Sequence, residues 1–356
     1  MRTPRKRLTP RAKTFLSITF AALIVAGYYT VGCQNSDSVS NPPQAQQTPV
    51  PTSANQHAQN GKDLGPAIAA QNRHTDELLA IDGVIGTGAG LHSDGTPAVF
   101  IFTKRANVSG LPSQVDGIHT RIENIGEVKA FGYSGSSQAP TRSGYSVGNN
   151  KECAAGTIGC VVTDGTKNYL LSNNHVFARV NKAQIGEAID QPGLYDAIPQ
   201  CTGTVTHGAN LSKFIPINFR RNAKNTVDCA IAELAAGITA TSASAGGYTP
   251  TSVVEAATVG LAVEKSGRTT GTTTGSVAAI NVTISVSYGN GQTAKFVGQI
   301  YFSSTTFSAA GDSGSLIVDS GSFNPVGLLF AGSASSTIAN PIGDVLSALG
   351  VRIVSQ

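Results

Sequence analysis

The sequence predicts an all-β protein over residues 153–356, preceded by a small α/β module over 61–135. Composition is the first reason: 40 Gly, no Trp and only 13% charged residues suit a β-rich extracellular chain better than a helical enzyme. Good helix formers also become sparse after residue 81. Finally, from residue 153 short apolar runs are broken by Gly, Asn and Asp turns at the spacing of an all-β barrel or sandwich. A Ser/Ala/Gly/Thr stretch at 239–251 divides these runs into two halves, 153–238 and 252–356.

The N-terminus carries Arg2, Arg5, Lys6, Arg7, Arg11 and Lys13 ahead of an apolar run over 14–32 that ends at Cys33. That arrangement is an export segment. Val31-Gly32-Cys33 resembles the lipobox of bacterial lipoproteins, which implies lipidation at Cys33 and a membrane anchor. The departure is Thr30, where that family usually carries Leu. An uncleaved signal anchor and cleavage to a free product are the other two readings. All three place the rest of the chain outside the cytoplasm. Residues 34–60 are rich in Gln, Ser, Asn and Pro and poor in large apolar side chains. They cannot bury a core, so a disordered tether is expected.

Within 61–135, residues 66–80 read as an amphipathic helix, with Ile68, Leu78 and Leu79 opposite Asp76 and Glu77. Apolar-alternating runs follow at 83–91, 98–103, 118–122 and 126–131. Gly86-Thr87-Gly88-Ala89-Gly90 is no phosphate loop, because no Lys-Ser/Thr follows and the next element is a strand. A Gly/Ser-rich linker spans 136–152. In the β region strands are expected at 157–163, 169–172, 203–206, 226–234, 275–287, 295–302, 314–318 and 325–330. Cys153, Cys160, Cys201 and Cys229 are an even set in an oxidising setting and allow three pairings, which stay open. Their spacing and surroundings fit no usual zinc pattern, and no metal or cofactor is implied.

Three polar segments suggest nucleophilic catalysis. Gly311-Asp312-Ser313-Gly314-Ser315, ahead of the apolar Leu316-Ile317-Val318, puts a serine on a glycine-framed turn beside free backbone N–H groups. Of the six histidines, His175 alone follows a strand in a polar edge segment, Ser172-Asn173-Asn174-His175, where a general base would stand. Asp228 opens the apolar strand Cys229-Ala230-Ile231-Ala232, and a carboxylate there needs a partner. Asp190 and Asp196 are the other candidates, both in Gly/Pro loops where turn chemistry explains an Asp. The order His175, Asp228, Ser313 differs from that of subtilisins and α/β-hydrolases.

These segments resemble those of chymotrypsin-like serine proteases, particularly bacterial ones. A fourth stretch, Lys265-Ser266-Gly267-Arg268-Thr269-Thr270-Gly271 with Gly275-Ser276-Val277, is similar to the α-lytic protease and streptogrisin branch. The resemblance implies two six-stranded antiparallel β-barrels over 153–356. It also implies a His175–Asp228–Ser313 triad, an oxyanion hole from the N–H groups of Gly311 and Ser313, and a polypeptide substrate. In that branch an arginine pairs with the aspartate before the nucleophile, which would join Arg268 to Asp312. No N-terminal Ile-Val-Gly-Gly activation sequence is then needed, and none occurs. The base of the primary pocket would fall near Phe307 and its wall at Phe330-Ala331-Gly332. No acid sits there and no His follows His207, so a small or apolar residue before the scissile bond is expected. The module itself faintly resembles segments that precede such domains, with a packing, inhibitory or chaperoning role.

Charge excludes one class. The net +4 comes from the N-terminal cluster; without those six residues 19 basic face 21 acidic side chains. No basic surface for nucleic acid remains. The competing reading is a catalytically inactive trypsin-fold lipoprotein acting as a binding or structural module.

Overall fold

The computed structural model of the chain describes residues 58–59, 62–130 and 141–355. The export segment with Cys33, nearly all of the tether and the first part of the linker lie outside the described residues. No helix among the described residues is long and apolar enough to cross a membrane.

The module begins with helix α1 (Gly65–Leu79), one residue earlier than predicted because Pro66 opens its first turn. Strands β1 (Val84–Leu91), β2 (Pro97–Thr103) and β3 (Ile118–Asn124) follow, then a two-residue strand, β4 (Lys129–Ala130). Alternation in β2 shows what the module packs against. Val99 and Ile101 meet Ala70 and Leu78 of α1, while Ala98, Phe100 and Phe102 face the other way, into the core of the larger domain. Each such phenylalanine contributes roughly 1.5–3 kcal/mol by leaving water.

The first half of the β region supplies β5 (Ser146–Asn149), β6 (Cys160–Thr163), β7 (Asn168–Ser172), a one-turn helix α2 (Asn174–Phe177), β8 (Ala188–Gln191), β9 (Thr206–Phe214) and β10 (Ala230–Leu234). They run β5-β8-β9-β10-β7-β6 in one antiparallel sheet, extended to eight strands by short pieces at 156–157 and 352–353. The pleat sorts its side chains. Val161, Leu170 and Ala230 fill one core, whereas Cys160, Leu171 and Ile231 fill another that they share with the second half.

The second half supplies β11 (Ala262–Gly267), β12 (Gly271–Ser276), β13 (Ala279–Ser287), β14 (Thr293–Ser303), β15 (Leu316–Asp319), β16 (Pro325–Ser333), β17 (Ser336–Pro341) and helix α3 (Ile342–Leu349). Their order is β12-β11-β15-β16-β17-β14-β13, and the module's β1, β2 and β3 continue the same sheet from β13. The two β halves are present, but the six-stranded antiparallel barrels expected for them are sheets of eight and twelve strands: short segments extend the first, the second half alone supplies seven, and the module adds the remainder, with β2 and β3 parallel. All described residues fall in one compact unit.

Gly86 and Gly90 are needed at that seam. A Cβ on Gly86 would lie 2.6 Å from the Thr283 carbonyl, and one on Gly90 2.6 Å from that of Ala278. The Gly-Thr-Gly-Ala-Gly run is a surface for close strand approach.

Candidate active site

Strand register brings two of the predicted residues together. Ser172 of β7 stands opposite Ala230 of β10, so the residues just after β7 and just before β10 leave the sheet at one end. His175 and Asp228 are those residues. The His175 Nδ1 lies 2.7 Å from Asp228 Oδ2, and the His175 backbone N–H donates to Oδ1 at 3.2 Å. The pair is buried, with side-chain exposures of 8% and 0%.

The backbone around Asp228 is held from both sides. Asn173 Nδ2 donates to the Asp228 carbonyl at 2.8 Å, and the Asp228 N–H donates to Asn340 Oδ1 at 3.0 Å. Asn174 Nδ2 donates to the Ile215 carbonyl and to Asn181 Oδ1, both at 2.8 Å, fixing the turn that carries His175. The two asparagines before the histidine are thus a scaffold. A third donor reaches the carboxylate: the Tyr288 hydroxyl, 2.8 Å from Asp228 Oδ2.

Ser313 sits on the turn ahead of β15. Gly311 and Gly314 have φ of +99° and +95°. Side chains there would also collide with Arg268 and Thr269 in one case and with Ser172 and the Thr157 carbonyl in the other. Among the described residues, the N–H groups of Gly311 and Ser313 have no hydrogen-bond partner. The Thr157 N–H donates to the Ser313 carbonyl at 2.7 Å, and the Gly314 N–H to the Leu329 carbonyl at 2.8 Å, locking the turn between the two sheets. The Ser313 hydroxyl donates at 3.4 Å to the Phe330 carbonyl, and His175 Nε2 is buried without a partner among the described residues. Ser313 Oγ and His175 Nε2 are therefore not bonded to each other in this structure.

Asp312 departs from the expected arrangement. Its carboxylate accepts the N–H groups of Thr269 (2.9 Å), Thr270 (3.2 Å) and Ala309 (3.0 Å) and the Thr270 hydroxyl (2.7 Å), and its cation is Lys265, at 3.2 Å. Arg268 instead forks onto Asp196, with Nε 2.8 Å from Oδ2 and Nη2 on Oδ1. The arginine still borders the nucleophile turn, through Nη1 to Thr269 Oγ1 at 3.1 Å. Burial lowers the Lys265 pKa, and the Asp312 charge partly offsets that. The other aspartate weighed, Asp190, meets half-exposed His207 at 3.2 Å.

The aromatic residues assigned to the primary pocket are core side chains. Phe307 packs on Phe302, with ring centroids 5.1 Å apart, and Phe330 on Phe296 at 4.7 Å. What β16 presents at the site is its backbone. Ala331 and Gly332 pair antiparallel with Ala130 and Lys129 of β4.

Among the described residues one disulfide forms, Cys153–Cys201. Cys160 and Cys229 remain buried thiols, because β7 runs between β6 and β10 and holds the backbones about 10 Å apart, beyond disulfide reach. Burial pushes both thiols well above their ordinary pKa.

Comparison with known proteins adds sequence relatives. The chain is 37% identical over 116 residues to Serine protease 1 of Streptomyces fradiae, covering 30% of this chain and 29% of that protein. It is 40% identical over 105 residues to Glutamyl endopeptidase 2 of Streptomyces griseus, covering 27% of this chain and 50% of that one. Over these stretches the chain is similar to the two Streptomyces proteases. It spans at most half the length of these curated relatives. Among solved structures, Thermobifida fusca Protease A aligns at a TM-score of 0.44 with 18% identity, over 61% of this chain and all of that one. No family model matches the chain.

Sequence reasoning missed Lys265, Asn340 and Tyr288. Lys265 lay within the segment already singled out. Asn340 and Tyr288 act from distant strands, and nothing local marks them.

Proposed function

We propose that this protein is an exported serine endopeptidase, with Ser313 as nucleophile, His175 as general base and Asp228 as its orienting carboxylate. The observation that carries this reading is the buried 2.7 Å contact between His175 Nδ1 and Asp228 Oδ2, which leaves Nε2 unpartnered among the described residues. With its Nδ1–H held by Asp228, the imidazole presents a basic Nε2. Ser313 Oγ turns from the Phe330 carbonyl, gives its proton to Nε2 and attacks the scissile carbonyl carbon. The N–H groups of Gly311 and Ser313 stabilise the resulting oxyanion. The imidazolium returns the proton to the leaving amine, and water repeats the cycle on the acyl-enzyme. Sequence kinship with the two Streptomyces enzymes supports this class of reaction. An inactive lipoprotein would more often have lost one of the three side chains, and all three are present.

The substrate is polypeptide, with a small or apolar residue before the cleaved bond. One relative is named a glutamyl endopeptidase, yet no His follows His207 here and no cation lies at Phe307 or at 330–332 in the sequence to meet a glutamate. Export, and lipidation at Cys33, remain part of the proposal on the strength of the N-terminal segment. Casein hydrolysis by the purified chain, absent from Ser313→Ala, is the test; equal hydrolysis by the variant refutes the assignment.

A specific contact favours an inhibitory role for the module. Lys129 and Ala130 already occupy the backbone edge of Gly332 and Ala331, the wall to which the resemblance assigns substrate. An extended peptide adding to that edge must displace β4.

A further inference from the structure

Asp228 is bonded by more than its histidine. Oδ2 accepts two donors, His175 Nδ1 at 2.7 Å and the Tyr288 hydroxyl at 2.8 Å, while Oδ1 accepts the His175 N–H at 3.2 Å. Tyr288 arrives from the opposite sheet. It follows β13, and its N–H closes a tight turn onto the Gln292 carbonyl at 2.9 Å, with Gly289, Asn290 and Gly291 all at positive φ. Its ring stands edge-on to His175, with centroids 6.0 Å apart and planes at 70°, and edge-on to Phe219 at 5.7 Å. One side chain therefore touches both members of the pair, by hydroxyl and by ring.

We infer that Tyr288 is a positioning residue of the catalytic site, its hydroxyl fixing the Asp228 carboxylate that orients His175. This rests on the protease reading above. The two bonds from His175 tie both carboxylate oxygens to one residue, so carboxylate and imidazole can still shift together. A second donor on Oδ2, fixed to a different sheet, removes that freedom and also draws electron density from the oxygen that holds the imidazole. The phenol suits the task, since burial and the neighbouring Asp228 charge hold it protonated. The other titratable group beside the pair is the Cys229 thiol, which burial keeps neutral and on which Lys213 also acts.

The test compares the full chain with Tyr288→Phe, which keeps the ring packing and removes only the hydroxyl. Two quantities are read: the rate of inactivation by a fluorophosphonate probe as a function of pH, and the low-field proton resonance of the His175 Nδ1–H. In Tyr288→Phe the inactivation rate should fall about ten-fold at its optimum, as for loss of one hydrogen bond to a charged group. Its acid limb should move to higher pH, because a carboxylate short of one donor makes the imidazole more basic, and the low-field resonance should shift. Parent-like rates, acid limb and resonance would overturn the inference. So would a slower rate that only tracks a lower thermal midpoint, with limb and resonance unmoved. If neither the parent chain nor Lys129→Pro/Ala130→Pro, which releases β4, is labelled, the protease reading fails by itself. The resonance still decides on Tyr288: a shift in Tyr288→Phe supports the bond's role in holding the pair, and an unmoved one removes it.

Discussion

Lys265 Nζ lies 3.2 Å from Asp312 Oδ2, with both side chains fully buried. The residue preceding the nucleophile is thus neutralised by a lysine on β11, and the arginine nearby is bound to Asp196. Lys265→Met should destabilise the chain by about 3 kcal/mol, the order expected when one partner of a buried pair is removed, read from urea unfolding. Lys265→Met/Asp312→Asn should recover part of that loss. Unchanged stability in the single variant would show that the four other donors and the turn carry Asp312 without the cation.

The His175–Asp228 contact predicts a loss of rate without a loss of fold. Asp228→Asn presents an amide to Nδ1 and favours the tautomer with Nε2 protonated, which cannot act as a base. Inactivation by a fluorophosphonate should slow by about four orders of magnitude, with circular dichroism unchanged. A rate within ten-fold of the parent would remove Asp228 from the mechanism.

These residues show how far the chain can be read without coordinates. His175, Asp228 and Ser313 each lie at a strand end, so alternation and turn chemistry expose them. The two β layers were legible for the same reason. Helix α3 was overlooked although Ile342, Val345, Leu346 and Leu349 follow helical spacing and Gly350 caps it in the left-handed region. What local pattern cannot supply is the pairing of distant strands. Nothing in 84–91 reveals that β1 joins β13, nor that Tyr288 meets Asp228. The Arg268–Asp312 expectation failed similarly, since Asp196 ends a short 3-10 turn (Leu194–Asp196) whose position only the folded chain fixes.

A surface histidine should make the module's stability depend on pH. Hydrogen bonds that the ring donates to Asp116 and then to Glu77 raise the His74 pKa above its ordinary 6.5. The folded state therefore favours the protonated ring. Its contribution is complete below pH 6.5 and is lost as pH rises through the raised value. His74→Gln should lower the urea midpoint more at about pH 5.5 than at about pH 9. A larger effect at the higher pH would contradict the assignment of those bonds.

Strand β4 offers a direct handle on inhibition. Proline cannot donate to a strand ladder, so Lys129→Pro/Ala130→Pro should free the edge of Ala331 and Gly332. Casein turnover by the full chain should then rise several-fold over the parent. Equal or slower turnover by a well-folded variant would mean that β4 does not bar the substrate edge.

The central claim is that Ser313 is an activated nucleophile. Intact-mass analysis of the full chain after exposure to a fluorophosphonate measures it directly, followed by peptide mapping. The account predicts one adduct, located on Ser313 and absent from both Ser313→Ala and His175→Ala. A parent chain that remains unmodified after β4 is released, or an adduct that persists in Ser313→Ala, would contradict it.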